Sequence, residues 1–254
     1  MNGPISLGWL FASALLSLRL SPAFAFAPPF TLTRVPVLFR VLFGVGIAVC
    51  MVSTAPAGLI AIDTSPGSLT LASVRELALG LIVVTALQVM FGALYVAGRA
   101  LDIQAGFGLA AVINPTTGEQ DPLIGTLFVY AAGAVFFGLD GHIELLKILR
   151  ASLDAIPLGA GRFPTDLTRL TSFVSLMFVL ALGVAGGGIL CLFLADMAIA
   201  MLSRTIPQMN VLVLGLQVKT LLLLLVLPAT FGVAGALLAR MVAATLQSLP
   251  RLLA

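Results

Sequence analysis

The side chains best placed to do chemistry in this sequence are charged residues inside or beside long apolar runs. These residues are Arg75, Glu76, Arg99, Asp102, Asp196 and Lys219. Because a charge in an apolar helix is costly, such residues either line an ion or proton pathway or form structural pairs within or between subunits. Arg99 and Asp102 have the spacing of a pair along one helix, whereas Arg75 and Glu76 are adjacent and need partners elsewhere. Since no acidic residue lies near the middle of an apolar run, structural pairing is favoured.

Motifs of enzyme active sites and metal centres are missing from the sequence. A single histidine, His142, excludes a histidine-rich metal centre, and phosphate-loop, zinc-protease and serine-hydrolase motifs are absent. Cys50 and Cys191 lie far apart within apolar runs, as expected of small buried residues rather than of a disulfide or metal site. The sequence therefore predicts a protein that is not an enzyme and has no cofactor.

Charge is scarce and unevenly distributed. Charged residues make up 9% of the 254 residues, against about 25% in soluble domains. Residues 41–62, 77–98, 171–195 and 220–239 form charge-free runs. At about 1.5 Å per helical residue, each is long enough to cross the hydrocarbon core of a bilayer, about 30 Å thick. These runs make membrane lipid an expected partner. The net charge is only +3 and basic residues do not cluster, which argues against nucleic acid as a partner.

The apolar runs predict an all-α, multi-helix membrane protein with long kinked helices, helical hairpins and about six apolar segments. The predicted segments are Ile5–Leu20, Val37–Ile62, Ser73–Leu101, Leu123–Leu139, Thr168–Arg204 and Val211–Leu249. A capping-box pattern, Ser73-x-x-Glu76, predicts the start of the third helix, and prolines at 22, 28, 29 and 36 predict that residues 21–36 are not a regular helix. No Lys or Arg precedes the first segment, which favours an uncleaved helix over a signal peptide.

Three further patterns concern packing and boundaries. Residues 142–154 predict an amphipathic helix with an apolar stripe at Ile143, Leu146, Leu149 and Leu153. Residues 156–165, rich in Pro and Gly, predict a linker. Gly183-x-x-x-Gly187 predicts close packing of helices, while the loop charges give no membrane orientation.

The densest cluster of unusual residues predicts a polar hairpin tip between the last two helices. It contains Arg204, Pro207, Gln208 and Asn210, and Lys219 follows in the next apolar run. This string resembles the FliR family of flagellar export-gate proteins and its injectisome relatives, which share an Arg-x-x-Pro-Gln-x-Asn block followed by a Lys. Five other stretches resemble the family in the same order: Arg19 to Phe24, Val35-Pro36 with Arg40, Glu76 with Gly80, Asp102 to Phe107, and Asp140-Gly141-His142.

The resemblance implies a non-enzymatic core subunit of the flagellar type III export gate. In the family, FliP-like and FliQ-like subunits and a FlhB-like protein join this subunit around the conduit for unfolded exported polypeptides. Residues 1–164 would match a FliP-like half, and residues 165–254 a FliQ-like helical hairpin with its tip at 207–210. The expected location is the bacterial inner membrane, at the flagellar basal body, as a multi-pass protein.

The resemblance also implies that the loop at residues 106–122 projects into the pore and helps to plug it. Its candidate plugging residues are Gly106, Phe107, Leu109, Ile113 and Asn114. Asn114 precedes Pro115 where the family often has an aspartate, so an acidic role there is not implied. The alternatives are the equivalent subunit of a virulence injectisome, a small secondary transporter or channel, and a structural membrane scaffold. The Gly141-His142 pair points toward the flagellar branch.

Overall fold

A computed structural model describes residues 7–32, 34–55, 65–107, 121–160, 167–205 and 211–253. The described residues form seven α-helices and one short 3-10 turn, with no strand among them, which confirms the all-α prediction. The helices are α1 (Leu7–Phe26), α2 (Val37–Ser53), α3 (Pro66–Ala105), α4 (Leu123–Gly138), α5 (Gly141–Ala155), α6 (Leu167–Thr205) and α7 (Val211–Leu253), and the 3-10 turn is Phe30–Leu32.

The chain packs into two compact units. The first unit comprises residues 1–89, 136–173 and 243–254, and the second comprises residues 90–135 and 174–242. The long helices α3, α6 and α7 each contribute to both units. The division into a FliP-like and a FliQ-like part at residue 165 stays a prediction.

Three helix boundaries differ from the sequence prediction by more than four residues. Helix α2 ends at Ser53 instead of Ile62. Helix α1 continues through Pro22 to Phe26 instead of ending before the prolines. Helix α3 begins at Pro66, so the helix start predicted from the capping box at Ser73 is wrong. Proline is favoured at the first helical position because its missing N–H needs no partner there. Ser73 instead lies inside the helix, where its hydroxyl donates to the carbonyl oxygen of Leu69 at 2.8 Å.

In the first unit, helices α1 and α2 pack closely through small residues. A Cβ atom on Gly44 would lie 2.7 Å from the Cα of Ser21, so glycine permits this approach. Helix α5 is amphipathic as predicted, but its buried stripe is shifted. Leu145, Leu149, Ser152 and Leu153 are buried, whereas Ile143 is exposed. Leu149 and Leu153 belong to the predicted stripe. At about 100° per residue Leu145 lies beside Leu149 on that face, whereas Ile143 lies on the opposite side of the helix from Leu145.

In the second unit, helices α3 and α4 cross at two glycines. A Cβ atom on Gly98 would lie only 2.4 Å from the Cα of Gly125, so the backbones are in direct contact. Gly188 of α6 packs near Leu101 of α3. A Cβ atom added to Gly188 would lie 3.0 Å from Leu101 Cδ2. The predicted Gly183-x-x-x-Gly187 pattern is only partly used, because a Cβ on Gly187 would meet nothing within 4 Å in the described part of the chain.

Four described helices, α1, α3, α6 and α7, are long and apolar enough to cross a membrane. Helices α4 and α5, bent by 68° at the break between them, qualify together as a fifth span, and the 17-residue α2 is a shorter apolar helix. The apolar segment of α7 is only 17% buried within the chain. The helices therefore present large apolar surfaces to lipid or to other proteins.

Candidate functional site

The first site is a fully buried ion pair between helices α1 and α3. The Arg19 guanidinium binds the Glu76 carboxylate through two hydrogen bonds, from Nε to Oε2 at 2.6 Å and from Nη2 to Oε1 at 3.0 Å. The side chains are only 1% and 0% exposed. Two of the sequence motifs, 57 residues apart, thus meet in one contact.

Further hydrogen bonds connect this pair to α5 and the segment that follows it. Arg19 Nη1 donates to the carbonyl oxygen of Ser152 at 3.1 Å, and Nη2 donates to that of Ile156 at 3.0 Å. Glu76 Oε1 accepts a hydrogen bond from the Gly159 amide at 2.9 Å. The adjacent Arg75 donates to the Gly159 carbonyl oxygen at 3.0 Å. We refer to Arg19, Glu76, Ser152, Ile156 and Gly159 as the buried staple.

The buried staple explains why Gly80 follows Glu76 by one helical turn. A Cβ atom on Gly80 would lie 2.7 Å from the carbonyl oxygen of Arg19, so only glycine lets α3 approach α1 at this level. The additional hydrogen bonds offset the cost of burying the two charges, whereas removing one partner would leave an uncompensated buried charge. This arrangement fits structural pairing within the chain rather than an ion pathway.

The second site, in the second unit, is an aspartate from one helix that caps another. Asp102 of α3 accepts hydrogen bonds from the amides of Ile124, at 3.0 Å, and Gly125, at 3.4 Å, in the first turn of α4. A carboxylate at a helix N-terminus satisfies amides that have no partner within the helix and interacts favourably with the helix dipole. Asp102 therefore binds backbone amides, and among the described residues it forms no ion pair with Arg99, which is exposed.

Other contacts fix both ends of the predicted pore loop, residues 106–122. The Phe107 amide donates to the Asp102 carbonyl oxygen at 2.9 Å, and Gln104 Nε2 donates to the Ile189 carbonyl oxygen of α6 at 3.3 Å. At the far end, the Tyr95 hydroxyl donates to Asp121 at 3.2 Å. We call these contacts and the Asp102 cap the loop anchor. Of the candidate plugging residues, Gly106 and Phe107 follow α3 directly, and Leu109, Ile113 and Asn114 lie outside the described residues.

The third site pairs α6 with α7. Asp196 of α6 and Lys219 of α7 form an ion pair whose side chains are half-buried. Arg204 lies exposed in the last turn of α6. Pro207, Gln208 and Asn210 of the predicted hairpin tip lie outside the described residues, between the end of α6 and the start of α7.

Some of these contacts were not predicted from the sequence. Arg19 and Gly80 were noticed only as motif residues, although an arginine within an apolar helix is itself a signal that a buried acid must exist. Ser152 carried no signal, because a serine on an amphipathic helix is ordinary. His142 packs against the Phe137 ring, with 5.5 Å between ring centroids, as a residue at a helix start. The described ranges contain no group of three potential metal ligands.

These features define a multi-pass helical membrane protein with charges paired inside its helical units. The sequence matches the family described as bacterial export proteins, family 1, over residues 10–245, and the chain belongs to that family.

Several relatives are flagellar or secretion proteins. The chain is 30% identical to the flagellar biosynthetic protein FliR of Bacillus subtilis strain 168, over 96% of this chain and 95% of the relative. It is 29% identical to Yop proteins translocation protein T of Yersinia pestis, over 58% of this chain and 57% of the relative. It is 25% identical to the surface presentation of antigens protein SpaR of Shigella flexneri, over 60% of this chain and 59% of the relative.

Proposed function

We propose that this chain is a core subunit of a flagellar type III protein-export gate and has no enzymatic activity. The observation that carries the proposal is the similarity to FliR of Bacillus subtilis along 96% of the chain, whereas the secretion relatives named above align over shorter parts. The contacts support it, because motif residues quoted for the family resemblance meet in the buried staple and the loop anchor. The equivalent subunit of an injectisome is the second candidate, favoured by the similarity to translocation protein T and SpaR.

The proposed partners are FliP-like and FliQ-like subunits and a FlhB-like protein, in the inner membrane at the flagellar basal body. Large exposed apolar side chains along α6 and α7 support an assembly. Among them are Val179 (63% exposed), Leu225 (74%) and Val233 (72%). In this assembly residues 1–164 take the place of a FliP-like half, and residues 165–254 form a FliQ-like hairpin with Arg204, Lys219 and the tip at 207–210 at its end. Asp196 and Lys219 hold the two helices of this hairpin together.

The proposed mechanism is a plug that yields to a passing polypeptide. Apolar side chains of residues 106–122 exclude water and ions from the conduit while it is closed. The loop anchor supports this role, because it holds the described residues at the two ends of the segment, Phe107 and Asp121, by hydrogen bonds within the second unit. Opening then needs no bond chemistry, and the energy for export comes from elsewhere in the machine.

Replacing residues 108–118 by a Gly/Ser linker of equal length tests the plug. The assembled complex carrying this change is expected to let ions and small solutes leak across the membrane of the cell. A matched control replaces Gly92, whose added Cβ would meet nothing within 4 Å in the described residues, by Ala. Unchanged leakage in an intact complex would refute the plug.

A deletion strain tests the assignment itself. Loss of flagella, restored by the wild-type gene, is the expected result, together with co-purification of the chain with several copies of two smaller helical proteins. A strain that still builds flagella would exclude the flagellar assignment and leave the injectisome subunit. A monodisperse monomer that transports solute in liposomes would overturn the export gate altogether.

A further inference from the structure

An open apolar groove in the first unit is lined by six apolar side chains and one basic side chain, that of Arg40. Its volume is about 290 Å³, near the lower end of the range of ligand sites. The lining residues are Phe24, Phe30, Val35, Phe39, Arg40, Phe43 and Phe137. Val35 and Arg40 belong to one of the motifs found in the sequence, and neither the buried staple nor the loop anchor uses them.

Arg40 has hydrogen-bonding capacity that the described part of the chain leaves unused. Its Nη1 donates to the carbonyl oxygen of Ala25, near the end of α1, at 2.7 Å. Its Nε is buried and has no hydrogen-bond partner among the described residues. Because Nε is closed to any ligand from outside, an anion can reach the Arg40 guanidinium only at its terminal nitrogens. The only buried acid of the unit in the described ranges, Glu76, is already bound to Arg19.

The groove lies where the apolar helix α2 begins. Helix α2 is apolar, Arg40 lies in its first turn, and Arg34 precedes it by three residues, with no acidic residue in that turn. The apolar side chains beside the groove are open, with Phe39 62% and Phe43 60% exposed. Arginines at the end of an apolar helix lie at the level of the lipid headgroups, where anionic phosphates gather.

We propose that this groove binds an anionic phospholipid. One acyl chain packs against the phenyl rings, and the phosphate binds the guanidinium of Arg40, with Arg34 adding positive charge. Charge complementarity selects the lipid, because an apolar wall ending at arginines matches a hydrocarbon chain ending at a phosphate, and guanidinium groups bind phosphate through short charge-assisted bonds. The inference rests on the membrane location and not on the export function.

Native mass spectrometry of the purified full chain tests the proposal. The chain, in mild detergent, is mixed with equal amounts of phosphatidylglycerol and phosphatidylcholine, and the bound lipid that survives collisional activation is measured. We expect one phosphatidylglycerol to be retained in preference to phosphatidylcholine. Arg40→Gln should lower its retention at least fivefold. Val35→Trp, which fills the groove and leaves Arg40 in place, should lower it to a similar extent.

Arg150→Gln is the matched control. Arg150 also donates from Nη1 to a helix-end carbonyl oxygen, that of Met51 at 2.9 Å, but it does not line the groove. Its replacement removes the same charge and the same kind of bond, and it should leave lipid retention unchanged. A fall equal to that of Arg40→Gln would overturn the proposal, because the effect would then be general electrostatics. Full retention in Val35→Trp, or equal retention of both lipids by the wild type, would also overturn it.

Two further experiments distinguish a bound lipid from other possible occupants of the groove. Inorganic phosphate at the same concentration should not displace the lipid, since it lacks the acyl chain, and full displacement would reduce the site to an anion site. A photocrosslinking residue at Phe39 in the assembled complex should capture lipid. Capture of a partner polypeptide there instead would overturn the lipid assignment.

Discussion

Glu76→Gln is the sharpest test of the buried staple. The substitution keeps the shape of the side chain but removes its charge, so Arg19 is left without a counter-charge at 1% exposure. Breaking a buried pair by removing one partner costs about 3–5 kcal/mol. Arg19 keeps the carbonyl oxygens of Ser152 and Ile156 as acceptors, which places the cost near the lower end, at about 3 kcal/mol. The unfolding equilibrium should shift by more than about 100-fold, since about 1.4 kcal/mol is a factor of ten.

The measurement is reversible unfolding of the purified chain in mixed micelles, titrated with denaturing detergent and followed by far-UV circular dichroism. The control is Glu144→Gln, which removes an acid from an exposed pair. Glu144 and Lys147 are 3.2 Å apart and 51% and 69% exposed, so screening by solvent limits the cost to about 0.5 kcal/mol. Equal effects of the two substitutions, or a cost below about 1 kcal/mol for Glu76→Gln, would refute the reasoning.

The double variant Arg19→Met/Glu76→Leu separates pairing from general damage. Each single substitution leaves a buried charge alone, whereas the double variant leaves none. The double variant should therefore be more stable than the sum of the single effects predicts, by about 1–3 kcal/mol. Strict additivity would mean that the two side chains contribute independently.

Three other predictions use the same unfolding assay or co-purification. Gly98→Ala should destabilise the chain by about 1–3 kcal/mol because its Cβ would overlap the facing backbone, whereas Gly92→Ala, on the same helix with open space, should be neutral or stabilising. Asp102→Asn should lower the free energy of unfolding by about 1–3 kcal/mol, because a neutral amide caps α4 less well than a carboxylate does. An unchanged stability would show that the cap is dispensable. Either Asp196→Lys or Lys219→Asp alone should reduce co-purification of the small helical proteins, and the double exchange should restore it; failure to restore would argue against pairing.

The helices were predictable from the sequence because each apolar run is much longer than a β-strand. The ends were less predictable. Proline inside a helix loses a hydrogen bond and crowds the preceding turn, which predicts a break at Pro22, yet apolar helices tolerate proline when neighbouring groups satisfy the freed backbone. The pattern at Ser73 had the residues of a helix start, but Pro66 lies further upstream and fits the first position better.

The partners of the charged residues could not be predicted from spacing. Glu76 was expected to need a partner elsewhere, and that partner is 57 residues away, on a helix whose packing only the tertiary structure decides. Asp102 was expected to pair with a nearby arginine. It binds backbone amides at the start of α4 instead, and amides leave no trace in a sequence because every helix start has them.

The length of the apolar surface along α3 has a consequence for copies of the protein that have not yet assembled with partners. Large apolar side chains are exposed toward both ends of this helix, from Leu71 to Leu81 and again at Val96 and Ile103, so that the outermost are 32 residues apart. At about 1.5 Å per residue this is about 48 Å, well beyond the 30 Å or so of hydrocarbon in a bilayer. Fitting it within the lipid would need a tilt steeper than the range of about 0–40° seen for membrane helices. A newly synthesised copy therefore carries surface that suits neither water nor lipid, so its lifetime in the cell should depend on how quickly its partners are synthesised, and an excess over them should be degraded.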